Sequence, residues 1–128
     1  MNIKTEIRED LERAKEALKS AERNFKEGDL LTADNRTIVA CENSIYILLK
    51  LKFGSVSISR IRILTRLNEI DPKLKDLYDQ SYDLRVQSDY GKEMKLLPLN
   101  RENLESVLNR VKLLVLKAEK DTSKEYKD

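Results

Sequence analysis

Apolar residues return every three or four positions along almost the whole chain, and glycine and proline rarely interrupt them. Ile3, Ile7, Leu11, Ala14, Leu18, Ala21 and Phe25 open the pattern. This spacing follows the 3.6-residue turn of an α-helix and gathers those side chains on one stripe. Only 3 Gly and 2 Pro stand among the 128 residues, so the chain favours long helices joined by short connections. No alternation of apolar and polar residues persists long enough to make a strand.

The punctuation divides the chain into five helical segments. Gly28 is placed to end the first, with Asp29 as the cap of the second. The second segment, about Leu30 to Phe53, is apolar on several sides, which marks a helix packed around much of its circumference. Ser55, Ser57 and Ser59 offer caps for a short third helix carrying Ile58, Ile61, Leu64, Leu67 and Ile70. Asp71-Pro72 reads as a cap followed by proline in the first helical position. The fourth helix then sets Leu74, Leu77, Tyr78, Ser81, Leu84 and Ser88 on one face, with Arg85 at its edge and Gly91 as its stop. Lys92 to Leu99 is the longest irregular stretch, and Asn100 caps a fifth helix striped by Leu104, Val107, Leu108, Val111, Leu114, Val115 and Ala118. The expected fold is all-α, an antiparallel up-and-down four-helix bundle with an additional short helix. One domain is expected over residues 1–120, and the polar tail 121–128, lacking apolar periodicity, is expected to fray.

Histidine is absent, which removes imidazole-based triads, haem ligation and histidine-bearing zinc sites. A lone cysteine, Cys41, permits neither an Fe–S cluster nor a disulfide within the chain. The glycines stand apart, so there is no phosphate loop. No metal or cofactor is therefore expected. Lys plus Arg number 25 against 23 Asp plus Glu, a net charge of +2. Such a balance exerts no global pull on nucleic acid or lipid, and any binding of that kind must come from a local cluster. The most apolar run, Ile38 to Phe53, is broken by Glu42, Asn43, Ser44, Lys50 and Lys52 and cannot serve as a membrane span. The opening MNIKTEIRED is charged from its fourth residue and carries no long apolar stretch, so a cytoplasmic protein is expected.

Several residues could bear on function. Arg85 and Asp89 are four apart on one helix and could form either a plain surface ion pair or a cleft arginine held by its own carboxylate. Tyr82 and Tyr90 could offer stacking faces, while Tyr78 belongs to the core stripe. Arg60, Arg62 and Arg66 make a basic cluster on the third helix.

The order of a charged amphipathic helix, Glu27-Gly28-Asp29, then Ala33-Asp34-Asn35-Arg36 at the start of an apolar helix, resembles the HEPN family (higher eukaryotes and prokaryotes nucleotide-binding). The stretch Leu84-Arg85 through Asp89-Tyr90-Gly91 resembles it most specifically, and the likeness covers roughly residues 5 to 120. The resemblance implies a helical homodimer. It implies an RNA or nucleotide ligand, and a partner such as a minimal nucleotidyltransferase in a toxin–antitoxin pair. Active members carry Arg-x4–6-His, the arginine facing the dimer cleft and the histidine supporting metal-independent RNA cleavage. By that likeness Arg85 is the arginine, and Tyr90 stands where the shortest form of the motif has histidine. A phenol ordinarily ionises at about pH 10 and is a donor rather than a base, whereas an aspartate such as Asp89 is ionised and would repel phosphate. The expected function is a dimeric binding module for a partner protein, nucleotide or RNA. Arg85, Asp89 and Tyr90 are the candidate catalytic residues; Asp34, Asn35, Arg36 and Tyr82 are the candidate binding residues. Two alternatives are a metal-independent RNase toxin using Arg85 with Asp89 or Tyr90, and a structural bundle without ligand.

Overall fold

The computed structural model describes the backbone of residues 2–90 and 97–127 and the side chains of residues 2–88 and 97–127. Among the described residues the fold is all-helical: α1 (Ile3–Lys26), α2 (Leu30–Phe53), α3 (Arg60–Ile70), α4 (Pro72–Tyr90) and α5 (Arg101–Glu125). The caps are those that the polar punctuation predicts. Asp29, Ser59 and Asn100 accept from Thr32, Arg62 and Asn103 backbone N–H groups. Gly28 and Gly54 take φ of 84° and 79°, the left-handed conformation that lets a helix end without a Cβ clash. The expected stop at Gly91 and most of the 92–99 stretch lie outside the described residues.

Helix α2 is the centre of the molecule and packs against α1, α4 and α5. Its fully enclosed residues include Ala40, Cys41, Ile45, Ile47 and Leu49, which explains why it is apolar on several sides. The only connection between α1 and α2 is the Glu27-Gly28-Asp29 turn, so the two fold back as a helical hairpin. Arg101, at the start of α5, donates to the Phe25 carbonyl and lies over its ring, 4.3 Å from the centroid. At the far end Lys4 lies 5.7 Å from the Tyr126 ring centroid. Each of the seven residues expected on the α5 stripe is buried, from Leu104 to Ala118.

Two features depart from the periodicity. The chain stays helical through Glu125 instead of fraying after Lys120. Thr122 is buried, its hydroxyl donates to the Ala118 carbonyl, and Tyr126 packs against the core. A polar sequence is held in helix here because α1 lies beside it, which local propensity cannot register. The second departure is Asp10, buried on the apolar side of α1. It accepts from Lys50 Nζ at 2.7 Å and Arg13 Nη2 at 2.5 Å.

Candidate functional site

The outward face shared by α2 and α4 brings together Tyr78, Tyr82 and Arg85 of the residues singled out above. On α2, Asn35, Ile38 and Glu42 follow one another at steps of three and four, which lines them along one stripe. On α4, Tyr78, Ser81 and Arg85 do the same, with Tyr82 next to Ser81. Ile38, Glu42, Tyr78, Ser81, Tyr82 and Arg85 together line a small notch between the two helices.

Arg85 is tied across the notch. Its Nη1 donates to both carboxylate oxygens of Glu42 at 3.2 Å. The arginine side chain is 45% exposed and the glutamate 25%, so the pair sits at the surface. Glu42 thus joins the candidate residues, although residue type alone does not single it out. Its signal was present, because it is the acid that interrupts the apolar run of α2. Asp89 and Tyr90 end α4, and their side chains lie outside the described residues.

The face is bounded by a second arginine. Arg60, the first residue of α3, donates through Nη2 to Asp79 Oδ1 at 2.7 Å. Its guanidinium lies 3.9 Å from the Tyr82 ring centroid and 5.2 Å from that of Tyr78, a cation–π stack on both rings. Tyr82 remains 44% exposed, whereas Tyr78 is buried as the core stripe requires. The expected arginine cluster therefore divides. Arg66 stacks on Phe53 at 4.8 Å, and Arg62 is exposed.

The start of α2 also divides. Asn35 and Arg36 are at the surface, and Asn35 Oδ1 accepts from Arg36 Nε at 3.2 Å and Nη2 at 2.9 Å. That contact draws the Arg36 guanidinium toward the Asn35 side of the helix. Asp34, by contrast, is 0% exposed. Its carboxylate belongs to the interior, and the three consecutive residues do not form one surface group. Asn35 lies about 10 Å along α2 from Glu42.

The acid–base character of the notch follows from its burial. Burial, then the Glu42 charge, pushes the Tyr46 phenol up to about 12. The same two causes raise Tyr78. Cys41 is pushed up to about 12, chiefly by burial. These groups stay protonated at neutral pH and can donate but not accept a proton. The notch itself offers the Arg85 guanidinium, paired with the Glu42 carboxylate, beside the partly exposed Tyr82 ring. Among the described residues no cluster of Cys, Asp or Glu is placed to hold a metal ion, and no helix is long and apolar enough to cross a membrane.

No curated protein matches the chain. A family model for the HEPN domain matches residues 7–121. That match runs from the first turns of α1 nearly to the end of α5 and takes in every residue of the α2/α4 face, and the chain belongs to the HEPN domain family.

Proposed function

We propose that this chain is a HEPN module that binds RNA through the α2/α4 face without cutting it. The observation that carries the reading is Arg85 held at the surface beside an exposed tyrosine ring, in a chain that has no histidine. A guanidinium presents a rigid fork of donors with a permanent charge, which suits a phosphodiester. Arg36 lies about 9 Å along α2 from Glu42, Arg60 stacks on the neighbouring Tyr82 ring, and the exposed part of that ring offers a surface for a base. The family's active members cleave with a histidine, and this chain has none. The reading also takes α1, α2, α4 and α5 as an antiparallel up-and-down bundle with α3 added. It places two copies in a homodimer that brings both α2/α4 faces together, in the cytoplasm. A minimal nucleotidyltransferase is the partner that the family resemblance implies, and co-purification with one would place the chain in a toxin–antitoxin pair.

The test is fluorescence anisotropy with a labelled single-stranded oligoribonucleotide, followed by a denaturing gel of the same samples in EDTA. Binding that is lost in Arg85→Ala, with the RNA intact, is expected. Cleavage in EDTA that depends on Arg85 would replace this reading with a metal-independent RNase.

A further inference from the structure

Arg85 already has an anion. Both oxygens of Glu42 sit 3.2 Å from its Nη1, in the position that a phosphate oxygen would take. Glu42 is only 25% exposed and lines the notch between the two helices. Its carboxylate brings a negative charge into the same notch as Arg85.

We propose that Glu42 is a specificity-determining residue that competes with ligand phosphate for Arg85 and so sets the threshold for binding at the α2/α4 face. This rests on the reading that the face takes RNA. The competition has two parts. A ligand must first break the Arg85–Glu42 pair, and a partly exposed pair of this kind is worth up to about fivefold in an equilibrium constant. It must then sit beside a carboxylate of its own sign. A lone phosphate has one contact with which to meet both costs. An RNA strand that also engages Arg36 and Arg60 has several, and Glu42 thereby biases the face toward a polyanion.

The charge can be removed with little change of shape. Glu42→Gln leaves an amide oxygen for Arg85 while abolishing the net charge. Anisotropy with a labelled 20-nucleotide oligouridine (order of size chosen to exceed ~16 nucleotides, the upper single-strand site size) is compared for wild type, Glu42→Gln, Arg85→Ala and the double variant. Glu16→Gln, on the exposed side of α1, controls for net charge. Glu42→Ala repeats the measurement should the glutamine variant fold poorly. The expected result is binding about fivefold or more tighter in Glu42→Gln, no gain in Glu16→Gln, and a clearly smaller gain when Arg85 is also replaced. Equal or weaker binding by both Glu42 variants, with Arg85→Ala still impaired, would overturn the competition and leave the RNA reading standing. A gain of equal size without Arg85 would also overturn it, because the effect would then be repulsion alone. Failure of every variant to bind would overturn both.

Discussion

Arg85 on α4 donates through Nη1 to both carboxylate oxygens of Glu42 on α2, 3.2 Å from each. The pair joins residues 43 positions apart and ties the two helices that make the candidate site. It also directs the arginine across the groove between helices and onto α2. The arginine that the family resemblance singles out is here one half of an interhelical pair.

Arg85→Ala should separate binding from stability. An exposed ion pair contributes about 0.2–1 kcal/mol, so urea unfolding should shift by less than about 1 kcal/mol. Loss of one charge-assisted phosphate contact should weaken RNA binding by about tenfold. The slope of log affinity against log salt should fall by about 0.7, the value for one phosphate on a single strand. Titrations at several salt concentrations check both numbers.

Arg60 is expected to behave as a structural clamp for α3. It stacks on Tyr82 and Tyr78 and pairs with Asp79. Arg60→Ala should cost about 1–2 kcal/mol through the lost stack and the lost ion pair. Arg60→Lys should recover little of this, because an ammonium has no planar face to lay on a ring. Chemical denaturation of the two variants distinguishes these outcomes.

Asp10 should be the most costly single polar residue to remove. Its carboxylate is buried and holds Lys50 and Arg13. Asp10→Ala leaves Lys50, only 17% exposed, without its carboxylate. Breaking a buried pair in this way costs about 3 kcal/mol. A double substitution Asp10→Leu with Lys50→Met should be markedly less harmful than Asp10→Ala alone, and equilibrium unfolding of all three chains reports it.

Alkaline pH should destabilise the fold in a defined window. Cys41 rises from 9.0 to about 12 and Tyr46 from 10.0 to about 12, both chiefly through burial, and Tyr78 is raised as well. Each group favours its protonated form in the folded chain. The stability this lends is complete below the unfolded values and is lost as pH climbs through the folded ones. Tm should be flat up to about pH 8 and fall between about pH 9 and 12. Cys41→Ala and Tyr46→Phe should each flatten part of that fall. The Cys41 thiol should also resist alkylation at pH 8 until the protein is unfolded.

Truncation after Lys120 should destabilise, although the removed residues are mostly polar. Thr122 is buried and Tyr126 packs on the core beside Lys4. Partial burial of one aromatic ring and the end of α5 corresponds to about 2 kcal/mol. Unchanged unfolding of residues 1–120 would count against this.

Most of the fold was legible because the signals are local. The extent of α2, its Asp29 cap, and the α5 stripe all follow from residues within a turn or two of each other. The α5 tail was misread for the same reason, since its support comes from α1. Asp10 was equally opaque, because its partner Lys50 is on another helix. Of the candidate residues, Asn35, Arg36, Tyr82 and Arg85 are singled out by residue type and family pattern, whereas their neighbours are not. Tyr82 meets Arg60 of α3, and Arg85 meets Glu42 of α2.

The sequence by itself determined that the chain is helical, where its caps fall and that no imidazole takes part, because composition and periodicity act within a helix. The tertiary structure alone decided which anion Arg85 holds and that Asp34 is enclosed while Asn35 is not. Those outcomes depend on how α2 is rotated and shifted against its neighbours, and that setting is a sum over the whole packed core.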